Sequence, residues 1–290
     1  MELVQPKKQH VWDWPVVVNF TLGGMAAGFY LLNFLLKTFQ GNMPDRYQTV
    51  VFKLLPPILV GLGFISLTGE AGRSLRGRYL LGNLHSSWMS RETLMGALFI
   101  LSAGLDFLSP HVIFKISALL AAAGLIISHG FIVYRAVAVK SWNDPLVPLH
   151  FVTSGLSMGV GLTLLLGGCS NITFGPPSIL TGIICMLLNL IVWLTYRYLQ
   201  GDIFFLSTSG SPVSSMLTLG IGHLLPVVLL LLHVLMPAAE TKGTFQDILS
   251  ALAGLAILAG GVGQKVVILL GDNYLRGIMM GQPKGSRQGV

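Results

Sequence analysis

The sequence predicts an all-α integral membrane fold with eight transmembrane helices. Apolar residues make up 53% of the 290-residue chain, charged residues make up only 10%, and the mean hydropathy is +0.74. Soluble domains carry about 25% charged residues. Eight long apolar runs recur along the chain, and a helix needs about 20 such residues to cross a bilayer. We therefore expect residues 1–290 to form a single polytopic membrane domain.

The eight predicted helices follow one another through polar connections. Their approximate ranges are 14–37, 50–69, 90–109, 111–137, 148–168, 179–198, 213–236 and 245–270. Ser90 is the predicted N-cap of the third helix, because a serine hydroxyl suits that position. Pro226 removes a backbone donor inside helix seven, so we expect that helix to bend there. Pro56 and Pro57 either kink helix two or begin its regular part.

The charge and the cysteines exclude several function classes. We interpret the net charge of +7 as topology and lipid contact rather than nucleic-acid binding, because Lys and Arg set orientation in membrane proteins. Cys169 and Cys185 lack C-x-x-C spacing, so this chain should hold no iron–sulfur cluster by itself. The sequence has no P-loop, no G-x-G-x-x-G and no H-E-x-x-H, which argues against nucleotide binding and a catalytic zinc.

The distribution of basic residues predicts the topology. With eight spans, both termini lie on one side, together with the connections after helices two, four and six. Most Lys and Arg residues fall on that side, so the positive-inside rule places both termini in the cytoplasm. Positive charge used for docking a partner would bias the same distribution.

The segment from Glu70 to Glu92 concentrates charge between predicted helices two and three. Charge at the mouth of an apolar bundle is costly unless it is paired, solvated or functional. A carboxylate at the edge of an apolar slot can move protons to and from a quinone, which makes Glu70 and Glu92 the predicted catalytic pair. The simpler interpretations are an ion pair of Glu70 with Arg73 and a first-turn role for Glu92 at a helix N-terminus.

The other polar residues of this segment each allow two interpretations. Arg73, Arg76, Arg78 and Arg91 are either topology anchors or groups that dock an acidic partner, and a guanidinium could also bond a quinone carbonyl. His85 is either a proton relay or a solvated loop histidine.

Polar residues in or beside the spans add further candidates. Asn19 in helix one either bonds a ligand head group or makes an interhelical hydrogen bond. Asp13 lies at the mouth of the same helix. Two facing histidines, such as His129 and His223, could ligate haem b, and the sequence leaves this possibility open.

Three motifs carry a family resemblance. They are W-D-W-P-V-V-V-N-F-T-L-G-G-M-A-A-G at helix one, E-A-G-R-S-L-R with S-S-W-M-S-R-E before and at helix three, and S-W-N-D-P-L-V-P-L-H-F-V-T-S-G-L-S-M-G ahead of helix five. They resemble the NrfD/polysulfide reductase membrane subunits and their relatives, the DMSO reductase anchor subunits. The resemblance covers most of the chain. It implies two four-helix bundles, a menaquinone or ubiquinone site, and no haem on this chain.

The resemblance also implies partners and site residues. The expected partners are a ferredoxin-like iron–sulfur subunit, a molybdenum or tungsten catalytic subunit that holds the molybdopterin, and membrane lipid. By position, Glu70 and Glu92 match residues tied to quinol binding, and Asn19 falls where one branch has a quinone-site His. The predicted quinone-binding set is Asn19, Arg76, His85, Trp88 and Asp13, and the predicted docking set is Arg73, Arg78 and Arg91.

Some residues depart from the family's pattern. Glu70 replaces a His or Asp, and Ser74 replaces a Pro. Gln264 and Lys265 stand near the end of helix eight where the anchor branch tends to have an acidic residue and an Arg, so no role is transferred to that end.

The predicted function is a quinone-reactive anchor subunit of a respiratory oxidoreductase complex in the bacterial or archaeal cytoplasmic membrane. Such a chain transfers electrons but lacks the catalytic centre of the complex. One alternative is a transporter or proton-translocating subunit without its own quinone site, which kinked helices would also suit. Against it, no predicted span has a charge near its middle. A purely structural anchor is the third possibility.

Overall fold

The computed structural model describes Gln9 and residues 12–40, 48–68, 82–170, 174–200, 212–235 and 242–271. Eight long helical regions follow one another in these ranges, as the sequence predicts. They are α1 (Trp14–Gln40), α2 (Lys53–Thr68), α3 (Trp88–Leu108), α4 (Val112–Tyr134), α5 (Leu146–Gly168), α6 (Pro176–Leu199), α7 and α8 (Lys242–Leu270). Helix α7 runs through three consecutive segments, Pro212–Ser215, Met216–Leu224 and Leu225–Leu235.

Seven of the eight helices in the described ranges are long and apolar enough to cross a membrane. The remaining helix, α3, has 21 residues, which corresponds to about 32 Å at 1.5 Å per residue. Its hydropathy is lowered by Arg91, Glu92 and Asp106. Large apolar side chains such as Ile65 and Leu120 are exposed on the outside of the helices, where they suit contact with lipid. The chain is therefore a multi-pass membrane protein.

Helix α3 begins two residues earlier than the sequence predicts. Its N-cap is Ser87 rather than Ser90, because the Ser87 side chain accepts a hydrogen bond from the Ser90 backbone N–H. Both serines suit the position by residue type. The Ser87 backbone N–H donates a hydrogen bond of 3.0 Å to the Asn83 carbonyl and closes a turn that ends at Ser87. This turn makes Ser87, rather than Ser90, the N-cap of the helix. This shift moves Glu92 from the first helical turn into the second, so its predicted first-turn role is wrong.

Two π-helical segments lie next to the predicted proline kinks. The segment Gln48–Phe52 leads directly into α2, inside which Pro56 and Pro57 are buried. The segment Met216–Leu224 ends two residues before Pro226. Proline offers no N–H to the carbonyl of the preceding turn, and a local widening of the helix is one way to accommodate the missing bond.

Helices α1 and α5 form the centre of the packing. Helix α1 contacts α2, α4 and α5, while α3 packs on α2 and α4. Helix α5 contacts α6 and α8, and α8 packs along α7. The contacts between the first four helices and the last four are made mainly by α1 and α4 with α5.

Backbone atoms form much of the contact between α1 and α5. Gly28 lies against the backbone carbonyl of Gly155, and Gly159 lies against the backbone of Gly28. A Cβ atom at Gly28 or Gly159 would overlap backbone atoms, which cannot move aside as a side chain can. Small residues permit this close approach between membrane helices. We call Gly28, Gly155 and Gly159 the glycine seam.

Candidate functional site

Glu92 lies in a buried polar cluster between α1, α3 and α4. The Asn19 side-chain amide donates a hydrogen bond of 2.7 Å to Glu92 Oε1. His129 Nε2 lies 3.1 Å from the same oxygen. All three residues are at most 3% exposed. We call Asn19, Glu92 and His129 the Glu92 cluster. The sequence predicts the first two as site residues, but it suggests only a haem role for His129.

The three residues of the cluster lie at one depth in the protein. Asn19 follows the start of α1 by five residues, Glu92 follows the start of α3 by four, and His129 precedes the end of α4 by five. At 1.5 Å per residue, each lies about 6–8 Å inside its helix end. Since these three side chains meet, the starts of α1 and α3 and the end of α4 share one face of the protein. We call it the amino-terminal face.

Neighbouring residues hold the His129 ring in place. The Phe20 ring lies 4.8 Å from it, centroid to centroid. A Cβ atom at Gly23 would lie 2.7 Å from His129 Cε1, so glycine leaves room that alanine would not. Neither ring nitrogen has a well-aligned hydrogen bond within the described ranges. The imidazole therefore keeps hydrogen-bonding capacity for a further partner.

A cavity of about 540 Å³ lies at the amino-terminal face, one helical turn outside the Glu92 cluster. Its walls include Trp88, four residues before Glu92, and Ile132, three residues after His129. Residues at these spacings lie on the same side of a helix, one turn apart. The other lining residues are Trp12, His85, Ser86, Met89, Arg91, Arg135 and Ala136. The structure thus brings three predicted residues, His85, Trp88 and Arg91, together around what we call the amino-terminal cavity.

Arg91 connects the parts of the cavity wall. Its Nε donates to the Leu84 carbonyl at 3.0 Å, and its Nη2 donates to the His85 carbonyl at 2.8 Å. The guanidinium also stacks 4.2 Å from the centre of the Trp88 ring. Trp88 in turn stacks on Phe131 of α4 at 4.4 Å. Arg91 therefore links the connection before α3 to α3 directly, and to α4 through the Trp88 ring.

Of the remaining predicted residues, the structure describes only Asp13. Asp13 is exposed, and its carboxylate accepts a hydrogen bond of 2.9 Å from the Trp14 backbone N–H where α1 begins. The Asp13 backbone carbonyl accepts a hydrogen bond of 3.1 Å from the Val16 N–H, so Asp13 precedes the first turn of α1, and it does not line the amino-terminal cavity. Four predicted residues, Glu70, Arg73, Arg76 and Arg78, lie outside the described residues.

A second polar cluster connects α5, α6, α7 and α8. Asn189 donates to Gln264 Oε1 at 3.1 Å and lies 3.2 Å from His223 Nε2. The Thr153 hydroxyl donates to Asn189 Oδ1 at 3.3 Å. His223 therefore has its own side-chain partners, while His129 belongs to the Glu92 cluster. Within the described ranges, no group of three or more His, Cys, Asp or Glu side chains could hold a metal ion.

Lys265 is a buried cation near the end of α8. It is only 1% exposed. Its ammonium donates to the Ser154 hydroxyl at 2.9 Å and lies 3.3 Å from the Met158 sulfur. A Cβ at Gly24 would lie 3.9 Å from Lys265 Cε and 4.0 Å from His129 Nδ1. Gly24 thus separates Lys265 from the Glu92 cluster.

The fold and the site define a multi-pass helical membrane protein with a buried carboxylate and imidazole beneath a cavity at one face. The chain belongs to the DMSO reductase anchor subunit (DmsC) family, whose sequence model matches residues 8–262. This finding confirms the predicted resemblance. The C subunit of polysulfide reductase from Wolinella succinogenes is 25% identical over 184 residues, which cover 54% of this chain. The match spans 58% of the length of that relative.

Proposed function

We propose that this chain is the quinone-reactive membrane anchor subunit of a respiratory oxidoreductase complex. It exchanges electrons with a ferredoxin-like iron–sulfur subunit, which serves a molybdenum or tungsten bis-pterin catalytic subunit. Membership of the DMSO reductase anchor subunit family supports the anchor role. The similarity to the C subunit of a polysulfide reductase supports a place in a multi-subunit reductase. The Glu92 cluster beneath the amino-terminal cavity is the observation that carries the quinone proposal.

The cavity suits the head group of a menaquinone or ubiquinone. Its volume of about 540 Å³ lies within the range of about 300–1,000 Å³ that is usual for ligand pockets. The indole of Trp88 supplies an aromatic wall, and His85 and Arg91 supply polar groups. Asn19 bonds Glu92, so we assign it to positioning the carboxylate rather than to holding the quinone.

The Glu92 cluster supplies the proton chemistry. Oxidation of a quinol releases two electrons and two protons, so the site needs proton acceptors near the ring oxygens. Glu92 takes up one of the protons that a quinol in the cavity releases, and His129 beside it can carry that proton onward. Glu70 is the proposed acceptor of the second proton. Both electrons leave toward the iron–sulfur subunit on the amino-terminal face, and quinone reduction uses the same steps in reverse.

Several features of the assembly belong to the same proposal. All eight helices cross the membrane, α3 included, and they form two four-helix bundles within one domain spanning residues 1–290. The packing of α1–α4 and of α5–α8 supports this arrangement. Both termini and the amino-terminal face are cytoplasmic, where Arg73, Arg78 and Arg91 help to dock the partner subunits. A reporter fused after Val290 that is active only in the periplasm would overturn this orientation.

The substitution Glu92→Gln tests the proposal. We expect quinol-dependent turnover of the purified complex to fall by at least about a hundredfold, because general acid–base catalysis typically contributes 10²–10⁴-fold. The complex should still assemble, since glutamine can keep the bond from Asn19. Asp106→Asn is the matched control, because Asp106 is a buried carboxylate at the other end of the same helix. Wild-type turnover in Glu92→Gln, or equal losses in both variants, would refute the assignment.

A proton-translocating or transport function without a quinone site is the second candidate. The buried ammonium of Lys265, which bonds Ser154, favours it, because charge inside membrane helices often marks an ion pathway. Binding of a hydroxyquinoline N-oxide, a quinol analogue, to the purified complex distinguishes the two. Saturable binding that Glu92→Gln weakens supports the quinone site. Its absence favours the transport function or a purely structural anchor.

A further inference from the structure

A second cavity, of about 400 Å³, lies at the face opposite the Glu92 cluster. Its walls come from four helix ends: Phe34 near the end of α1, Lys53 at the start of α2, Asp106 near the end of α3 and Lys115 near the start of α4. None of these residues contributes to the Glu92 cluster or to the amino-terminal cavity. We call this second site the opposite cavity, and its chemistry is independent of the proposed quinone function.

The described lining of the opposite cavity carries one net positive charge. Lys53 and Asp106 neutralise each other through an ion pair of 2.9 Å, and Lys53 also donates to the Asp106 carbonyl at 3.0 Å. The Lys115 ammonium lies 4.7 Å from the centre of the Phe34 ring. Within the described ranges, no carboxylate pairs with Lys115. The cavity therefore presents a cation that an anionic ligand would neutralise.

The start of α4 adds hydrogen-bond donors to the same wall. His111 is the N-cap of α4, and its Nδ1 accepts a hydrogen bond from the Ile113 backbone N–H at 3.3 Å. Since Nδ1 acts as an acceptor, Nε2 carries the proton of the neutral ring and can donate. Val112, the first residue of α4, also lines the cavity. The partial positive charge of a helix N-terminus favours an anion beside Lys115.

The opposite cavity also has aromatic walls and one side-chain oxygen, Asn33 Oδ1, that can still accept a hydrogen bond. Tyr30, Phe34 and Phe52 contribute ring surfaces. Asn33 donates through Nδ2 to the Phe29 carbonyl at 2.8 Å, whereas its Oδ1 has no hydrogen-bond partner within the described ranges. A ligand with an anionic group, a hydroxyl group and an apolar portion would match these surfaces together.

We propose that the opposite cavity binds the head group of an anionic phospholipid, with its phosphodiester between Lys115 and the start of α4. Lys115 lies three residues into α4, which is about 5 Å from the helix end and therefore at the level of lipid head groups. The aromatic rings contact the glycerol and the upper acyl chains. Among the described residues Lys115 has no counter-ion. An anionic phospholipid supplies one and an uncharged quinone ring does not, so the charge favours the phospholipid.

Binding of a short-chain lipid to the full-length protein in detergent tests the proposal. The probes are phosphatidylglycerol and phosphatidylcholine with two eight-carbon chains, and native mass spectrometry measures their retention. Phosphatidylglycerol should bind more tightly than phosphatidylcholine. Lys115→Gln should weaken phosphatidylglycerol binding by about fivefold, as expected for the loss of one basic residue near anionic lipid. Lys115→Arg should restore it. Lys140→Gln, at an exposed lysine in the connection after α4, should leave it unchanged.

Four outcomes would overturn the proposal. They are equal binding of the two lipids, equal effects of Lys115→Gln and Lys140→Gln, displacement of the lipid by the same concentration of inorganic phosphate, and displacement by a short-chain quinone. A second variant covers the case in which Lys115→Gln does not fold. Val112→Trp fills the cavity from a position that is 62% exposed, so it should abolish phosphatidylglycerol binding. Unchanged binding in that variant would also overturn the proposal.

Discussion

Replacing Gly23 by alanine tests whether the position of the His129 ring controls quinol turnover. The added Cβ would lie 2.7 Å from His129 Cε1 and 3.2 Å from Nε2. Ordinary contacts begin at 3.4 Å, so the ring must retreat by about 0.7 Å in a close-packed interior. The substitution removes no ionisable group, and any loss of activity therefore reports on geometry.

The expected magnitude follows from the contact that the ring would lose. His129 Nε2 lies 3.1 Å from Glu92 Oε1, so a retreat of the ring by about 0.7 Å can open this contact beyond hydrogen-bonding distance. Misplacing a reacting group by about 1 Å can reduce a rate by about a hundredfold. We expect Gly23→Ala to lower kcat for quinol oxidation by about ten- to a hundredfold. Overpacking should also reduce the free energy of unfolding by about 1–3 kcal/mol.

Gly61→Ala is the matched control for this experiment. A Cβ atom at Gly61, inside α2, would have no atom within 4 Å. Alanine there should raise helix stability by up to about 1 kcal/mol and leave turnover unchanged. Steady-state quinol oxidation and thermal unfolding are measured for both variants. Wild-type turnover in Gly23→Ala, combined with a lowered unfolding midpoint, would show that the ring position does not matter and would refute the reasoning.

Three further substitutions probe the buried polar residues. Asn19→Ala removes the 2.7 Å bond to Glu92 and should lower quinol turnover and cost about 1–3 kcal/mol of stability. Asn189→Ala, at a buried amide in the second cluster, should cost similar stability but preserve turnover, and the reverse pattern would contradict the assignment. Lys265→Met removes an ammonium without a carboxylate partner within the described ranges, so thermal unfolding should show unchanged stability or a gain of about 1–4 kcal/mol. A clear loss would mean that the bond to Ser154 outweighs the cost of burying the charge.

The number and approximate limits of the helices could be predicted because bilayer thickness fixes the length of an apolar run. The start of α3 was harder, since Ser87 and Ser90 are equally suitable caps by type and only the turn before Ser87 selects it. Pro226 marked the region of α7 where the helix is irregular. A proline in the sequence shows that a backbone hydrogen-bond donor is missing from the helix. The residue type alone does not show whether the helix responds with a kink or with a π-helical segment.

The Glu92 cluster shows which part of the site could not be predicted from the sequence, namely the contacts between its side chains. Glu92 and Asn19 were identified by their polarity and by their place in the motifs, yet the bond between them depends on the rotation of α1 and α3 about their axes. His129 was missed for the same reason. In the structure, His129 lies five residues from the end of α4, at nearly the depth of Asn19 in α1 and Glu92 in α3. The predicted ranges 90–109 and 111–137 placed Glu92 two residues and His129 eight residues inside their helices, which concealed the match. Polar residues at equal depth on neighbouring helices are candidates for one site.

The glycine seam has a mechanical consequence for the transport function. Alternating-access transporters rock one half of the molecule against the other, and the seam lies at the boundary where such a motion would take place. Its contacts are between main-chain atoms of Gly28, Gly155 and Gly159, so rocking would separate surfaces that have no flexible side chain to follow the motion. An engineered cross-link between α1 and α5 should accordingly leave quinol turnover intact.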